Sequence, residues 1–562
     1  MIAIAVSRNW LQIRTLILIV FAASLAIAPE LLWGLSASDS FRYNIVWTDE
    51  FARQFANGNL YPRWLSQSWD GLGAPTFYHY PPLFFWLTAL ISSAVNKVIS
   101  LGTIVSITSW AVLITSGGFA YFWFKRFCRQ EFATFAAMAY ILTPYHLYDA
   151  FARGALAEST AYAVLPMVLI AIDRVKTRRA DGILTLAVSY CLLILAHLPS
   201  ALLASISIIP TWILYRAWRR DYAFLVRSAI GLGAGIGLVA FYLVPALKLL
   251  PYILTSALTS SFYDPNKWAF WSFAGWPNAP RAMLNIVFAS AALSVAFAAL
   301  CARARDSDWT EVRFWAGLTA LIFLMIGGFI PFLWQLPGLT MVQFPSRLIP
   351  EAELAALTAL VVARPKMMHP ISILSILIVA VTLIITVSLV VQLTLGAHGL
   401  VKASTEISLA DRRDDPTYLP AGHSLPIPET GLQVANPSLV ELPKRGWLVR
   451  GGAAAIRAST DGDAIDLDVE AAHPTRLVAR RFNHPRWVVR SDDGRVIFPS
   501  SEAGTELVSW PIASGTHHYR LEGRVLPIER TSLTVTMLTL LSLLGAFVVV
   551  RTSPAIRRVR VP

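Results

Sequence analysis

Charge is scarce in this chain. Only 14% of its 562 residues are Asp, Glu, Lys or Arg, against about 25% in soluble globular proteins. That excludes an ordinary water-soluble domain and, with 56% hydrophobic residues, points to a chain that crosses a bilayer repeatedly. Cysteine is scarcer still. Cys128, Cys191 and Cys301 lie far apart, in or beside apolar runs, which excludes a disulfide framework and zinc-ligand spacing. No Gly-rich phosphate loop is found, so an enzyme of soluble nucleotides has no support. The formal charge of +13 needs no nucleic acid. Arg and Lys gather in short loops between the apolar runs, as the positive-inside rule expects.

The first apolar run, roughly 15–35, follows Arg8 and Arg14. Ser36-Ala37-Ser38 resembles a signal-cleavage site, but the run is long for a signal and more spans follow. It reads as an uncleaved anchor, with the N-terminus in the cytoplasm. The run PPLFFWLTALISSAVNKVI (81–99) then decides the topology. As a span it would place KRFCRQ (125–130) and every later basic loop outside. As a juxtamembrane helix it leaves KRFCRQ, RVKTRR (174–179), RAWRR (216–220), RARDSDWTEVR (303–313), RPK (364–366) and the tail RRVR (557–560) in the cytoplasm. Charge asymmetry favours the second. Spans are then expected near 15–35, 103–124, 131–148, 159–173, 181–197, 199–216, 227–249, 282–302, 313–331, 350–364, 370–396 and 531–551, about twelve at ~20 residues each.

Between 397 and 530 the texture turns polar, with Pro and Gly turns and alternating runs such as DAIDLDVEA and RWVVRS. Period-two patterning reads as an antiparallel β-sandwich, with Asp492-Asp493-Gly494 as a hairpin turn. The expected fold class is therefore an all-α polytopic membrane protein with a C-terminal extracytoplasmic β-sandwich-like domain. Residues 1–396 form the membrane domain with a large first outer loop (36–102), 397–530 the β-rich domain, and 531–562 a membrane anchor with a basic cytoplasmic tail. The location expected is the cell (inner) membrane.

Polar groups collect at the outer span ends. In WTDEFARQFANGNLYPRW (47–64), Thr48 is expected to cap a helix whose first turn holds Asp49 and Glu50. Carboxylates there complement the helix dipole. Tyr61, Arg63 and Trp64 follow, then a Gly- and Pro-bearing loop with Asp70, Tyr78, His79 and Tyr80. Ordering such a loop costs ~1–2 kcal/mol per residue of backbone entropy, which a mere connector has little reason to incur. At the next outer exit stand Tyr145, His146, Tyr148, Asp149, Arg153 and Glu158. Asp149 and Arg153 are spaced for an i,i+4 ion pair, yet so many ionisable groups at a span end also mark a site. His197 sits at a tight outer turn. In MVQFPSRLIPEAE (341–353), Gln343, Arg347, Glu351 and Glu353 reach an outer helix start. Arg347 reads either as snorkelling to headgroups or as a bidentate grip on phosphate.

The stretches DEFARQFANGNLYPRWLSQSWDGLGAPTFYHYPPL, PYHLYDAFARGALAE, AHLPSA and QFPSRLI resemble membrane proteins of the 6-pyruvoyl-tetrahydropterin-synthase-related type, near the YfhO-like group, over roughly residues 1–365. The three-His zinc site of a pterin synthase is not present. PRWVVRSDDG (485–494) partly matches the YfhO-like pattern GWxxxxDG. These proteins are similar in architecture to GT-C glycosyltransferases, which carry an acidic motif near the start of the first outer loop. The resemblance implies that Asp49 and Glu50 are this motif. It implies a polyprenyl-phosphate-linked sugar donor, a cell-envelope glycan or glycolipid acceptor, and contact with membrane lipids. Asp49 would take the acceptor's proton, Arg347 or Arg153 with Gln343 would hold the leaving phosphate, and Glu50 would orient the loop or help bind a divalent cation if one is used. No other cofactor is expected. The substrate pocket would draw on Tyr61, Arg63, Trp64, Asp70, Tyr78, His79, Tyr80, His146, Asp149, Glu158 and His197. A non-enzymatic lipid or glycan transporter or scaffold that keeps the fold is the alternative. Ionisable groups at span ends rather than near the midplane favour the enzyme.

Overall fold

The computed structural model describes residues 2–363 apart from 37, 96–98, 178, 219, 270–278 and 302–307. It also describes positions 377, 380, 384 and 412, then 414–422, 448–450, 454–461 and 463–552. The chain opens with α1 (Ile2–Trp33), α2 (Phe41–Ala56), the short α3 (Ser68–Gly71) and α4 (Thr76–His79), α5 (Leu83–Ala94) and α6 (Leu101–Phe124). It continues through α7 (Gln130–Ile141), α8 (Pro144–Tyr148), α9 (Leu156–Thr177), α10 (Arg179–Ala196), α11 (Leu198–Ile206) and α12 (Ile208–Arg216). Then come α13 (Tyr222–Leu238), α14 (Ala240–Lys248), α15 (Ala279–Cys301), α16 (Trp309–Ile326), α17 (Ile349–Ala363) and, after the β-strands, α18 (Pro527–Thr552).

Among the described residues, seven helical stretches are long and apolar enough to cross a membrane, or eight if α13 and α14, bent by 70°, form one span. The runs 131–148, 181–197 and 350–364 carry α7 (12 residues), α10 and α17 (15 residues), none of them among those seven, while 370–396 lies almost wholly outside the described residues. Helix α5 has 12 residues; at about 1.5 Å each it is too short for a ~30 Å hydrocarbon core. The run from 199 to 216 breaks at Ser207 into α11 and α12. The freed donors there go to Glu351, which accepts from the Ser207 hydroxyl and, at 3.4 Å, from the Ile208 amide. Glu353 does the same for α8, accepting from the Tyr145 amide at 3.0 Å and the Tyr162 hydroxyl at 2.5 Å. Buried carboxylates thus replace the partners that helix starts lack.

The outer loop differs from expectation at α2. Thr48 lies inside this helix, whose N-cap is Ser40, because Phe41, Ile45 and Trp47 extend the buried apolar face upstream. Asp49 and Glu50 are therefore not in a first turn, and the dipole account of them fails. Beyond α2, residues 57–79 fold back as a fixed loop. Leu65 bridges Ala74, and Gly73 (φ +80°) passes so close to Trp64 that a Cβ would lie 2.5 Å from its ring.

The β-strands form two antiparallel sheets. β1 (Leu448–Arg450), β4 (Thr475–Phe482), β8 (Leu507–Ile512) and β7 (Ser500–Ser501) lie in the order β1-β4-β8-β7. β2 (Ala454–Asp461), β3 (Ala464–Ala471), β9 (Gly515–Gly523), β5 (Trp487–Ser491) and β6 (Val496–Ile497) lie in the order β2-β3-β9-β5-β6. Trp510 of one sheet meets Tyr519 of the other edge-on at 6.3 Å, closing a sandwich core. The β5–β6 hairpin turns at Asp492-Asp493-Gly494, with Gly494 at φ +80°.

The sandwich is packed against the outer loop. Trp487 meets Trp64 edge-on at 5.1 Å, and the Phe482 amide donates to Leu72 O at 2.8 Å. A strap, residues 414–422, lies between the two. Its buried Asp414 accepts from the Trp47 indole (2.7 Å), the Ser68 hydroxyl (2.8 Å) and the Thr76 hydroxyl (2.6 Å).

Candidate functional site

A cavity of about 470 Å³ opens where α9, α11 and α14 meet the first loop, the strap and residues 338–347. Its position follows from how the first span exits. After α1 the chain docks on residues 149–153, which form a π-helical turn ended by Gly154 in the left-handed region. Ser36 donates to Phe151 O at 2.7 Å, and the Asp39 and Ser40 amides donate to Ala152 O and Arg153 O, each at 3.0 Å. Asn44 of α2 donates to Gly154 O at 2.5 Å. A Cβ on Gly154 would overlap Ser38, so only glycine lets the two segments meet. π-turns recur at functional sites; this one aims Asp39 and Arg153 at the same space.

Arg153 is the hub of the polar wall. Its guanidinium donates to Asp149 (2.7 Å), Glu158 (2.8 Å) and the Tyr145 hydroxyl (2.7 Å). Arg347 reaches the same Glu158 oxygen at 3.3 Å and donates to Val342 O at 2.5 Å. Two guanidiniums from segments far apart in sequence are thus held side by side at the cavity wall. Gln343 beside them has φ +68° and ψ −59°, and the Phe344 amide donates back to Val342 O at 2.8 Å. That is a γ-turn of the strained kind, rare outside places where the surroundings enforce it.

Asp39 also lines the cavity, paired with Arg281 of α15 at 2.9 Å. Burial pushes its carboxyl above the usual range, with Arg281 and then Arg153 opposing. Asp415 of the strap also lines the cavity and accepts the Thr417 amide at 2.8 Å. His79 lines it too, with Nδ1 3.0 Å from Ala246 O; burial lowers its pKa to about 4, so it is neutral at neutral pH. Tyr80 packs against Trp47 with the rings tilted by 54° and their centres 4.6 Å apart, and His197 contacts the Ser200 hydroxyl at 2.8 Å. Apolar side chains complete the lining, among them Leu202 and Leu247, which are 37% and 55% exposed.

Of the residues expected at the site, the cavity gathers Arg153, Glu158, His197, Arg347, Gln343, His79 and Tyr80. It does not gather the rest. Asp49 pairs with Arg53 and, at 3.5 Å, with Arg412. Glu50 is buried, and its Oε1 accepts from the Gln67 amide (2.8 Å), the Ser66 hydroxyl (3.1 Å) and Gln54 (3.2 Å). It holds the loop, one of the two roles expected for it. Arg63 pairs with Glu529 of α18 at 3.2 Å and lies over Tyr61. Trp64 and Tyr78 pack around His484, and Asp70 pairs with Arg480 at 3.0 Å. His146 is stacked on Tyr162 at 4.4 Å in the core. Asp149 forms the i,i+4 pair its spacing suggested. Asp39, Arg281 and Asp415 were not singled out by sequence reasoning.

A divalent cation is a poor fit to these side chains. The cavity's carboxylates are engaged by Arg281, by Arg153 with Arg347, and by Thr417, and among the described residues no three His, Cys, Asp or Glu converge to hold a metal ion.

Residues 77–396, more than half the chain, match the family described as 6-pyruvoyl-tetrahydropterin synthase related domain, membrane protein. The chain belongs to this family of membrane proteins. The matched region carries Arg153, Glu158, His197, Arg281 and Arg347, whereas Asp39 and the strap lie outside it. No curated protein matches. Among solved structures, the arabinofuranosyltransferase AftD from Mycobacteria is similar at 16% identity and a TM-score of 0.42, over 69% of this chain and 27% of that one. A mutant form of AftD gives 16% and 0.42 over 68% and 28%. The chain thus spans under a third of the length of the solved chains it matches.

Proposed function

We propose that this family member is a membrane glycosyltransferase that moves a sugar from a polyprenyl-phosphate-linked donor to a cell-envelope glycan or glycolipid on the extracytoplasmic face. The observation that carries the reading is one cavity that brings together paired guanidiniums, the Asp39 carboxylate and partly exposed apolar side chains. Arg153 and Arg347 suit the donor phosphate, because fixed guanidiniums stabilise a phosphate leaving group where water is excluded. The apolar side suits the start of the prenyl chain. The base falls to Asp39 rather than Asp49, since Asp39 faces the cavity and Asp49 does not. In the transfer, the acceptor oxygen bonds to the anomeric carbon, the bond from that carbon to the phosphate oxygen breaks, the phosphate leaves with the electron pair, and Asp39 takes the acceptor's proton.

Paired variants test this. Asp39→Asn should lower transfer by ~10²–10⁴-fold, as loss of a general base does, while Asp49→Asn leaves it near normal. The raised Asp39 carboxyl should set the acid limb of the pH–rate profile above the ordinary Asp range. Normal transfer by Asp39→Asn would remove the assignment. Binding of polyprenyl phosphate with no transfer in the wild type would favour a transporter.

A further inference from the structure

A second cavity, of about 380 Å³, lies where the β-sandwich meets the strap and residues 251–252. It shares a wall with the first. Leu250 and Ile253 line the first cavity, Pro251 and Tyr252 the second; Thr417 and Tyr418 line the first, Pro420 to Gly422 the second. The two runs pair as a short antiparallel ladder, with Ile253 bridged to Pro420 and the Leu254 amide donating to Leu419 O at 2.8 Å.

Three observations mark this cavity as built for a ligand. Glu506 on its wall is held at φ +58°, a left-handed conformation that a side chain disfavours. Its carboxylate lies where a Cβ on Gly422 would come within 2.4 Å. The β7–β8 turn holds it there, with the Glu506 amide donating to Glu502 O at 2.9 Å, which fixes the carboxylate at the cavity wall. Next, His484 is 3% exposed, and its Nδ1 accepts the Arg486 amide at 3.3 Å. The imidazole is thereby fixed against the cavity wall. Last, Phe498 and Tyr252 present aromatic faces that are 62% and 48% exposed, and the Arg524 guanidinium lies 4.6 Å over the Phe498 ring.

We infer that the second cavity binds a neutral sugar residue of the acceptor glycan, an inference that rests on the transferase reading above. Glu506 and Arg524 balance in charge, so the site has no preference for an ion. With Asn483 they supply the planar donors and acceptors that pair with neighbouring hydroxyls, and the aromatic rings receive the apolar C–H face of the sugar. A glycan seated here is one ladder away from the reaction cavity, so the site would select acceptors by their length.

Saturation-transfer NMR on the full chain in micelles tests it, with linear tetrasaccharides of arabinose, mannose, galactose and glucose as probes. At least one should bind. Phe498→Ala, Arg524→Ala and Glu506→Gly should each weaken that binding tenfold or more, and Glu506→Gly should leave the thermal midpoint unchanged or higher because it relieves the backbone. Binding of a short polyprenyl phosphate should be unaffected in all three. If no tetrasaccharide binds the wild type, or binding survives all three substitutions, the inference fails. Tetrasaccharide binding without polyprenyl-phosphate binding would uphold this site and sink the transferase reading instead.

Discussion

Glu50 is a conspicuous acidic residue that braces a loop and does not line the cavity. It sits in the buried face of α2, where one oxygen accepts from the Ser66 hydroxyl and the Gln67 amide of the 64–74 loop and from Gln54 of α2 itself. Burial raises its pKa from 4.5 to about 7. A carboxyl raised in the folded state contributes stability that is present below its unfolded pKa and lost as pH rises through the folded value. Between pH 5 and pH 8 the wild type should therefore lose thermal stability, by an amount on the order of a few kcal/mol. Glu50→Gln keeps the accepting oxygen and cannot ionise, so its midpoint should stay flat over that window and exceed the wild type's at pH 8. Parallel pH-dependent midpoints on the two proteins check this. Equal slopes would mean that Glu50 is already ionised and solvated in the native state.

At the scale of elements, the pattern of the chain carried further than its individual acids. The apolar runs, the β-rich texture and the Asp492–Gly494 hairpin were legible because periodicity and turn chemistry are local. The pairing of Arg153 with Arg347 was partly legible, since both stand at span ends where charge is costly. Asp39 was not, for a physical reason: it is a single carboxylate in SASDS, and what makes it special is Arg281, which comes near it only in the fold. The adjacent pair Asp49-Glu50 drew notice because it is conspicuous in sequence, but α2 starts upstream and turns both away from the cavity. Helix α5 carries the topology. Being too short to span, it should leave Ser93 outside and Lys125 in the cytoplasm. In intact cells an impermeant thiol reagent should label Ser93→Cys and spare Lys125→Cys. Labelling of Lys125→Cys instead would invert every later loop and take the cavity to the other face.

For the whole molecule the deciding element is the strap, because it joins parts that composition would separate. The buried residues of the sandwich form one apolar cluster with the first loop and with Tyr418 and Leu419 of the strap, and the membrane helices form another. Residues 414–422 bind the first outer loop through Asp414, wall the reaction cavity with Asp415 and Tyr418, and wall the second with Pro420 to Gly422. Asp414→Ala would leave the Trp47 indole, the Ser68 and Thr76 hydroxyls and the Asp415 amide without their acceptor. Each buried donor so orphaned costs about 1–3 kcal/mol, more than a surface segment can absorb without moving. The expected result is a lower thermal midpoint together with a fall in transfer of at least tenfold, while the β-sandwich, whose core does not include Asp414, keeps its strand signal by circular dichroism. Asp414→Asn, which retains one accepting oxygen, should fall between the two. If Asp414→Ala lowers stability but transfers normally, the strap braces the loop without shaping the cavity, and the shared wall between the two sites has no functional weight.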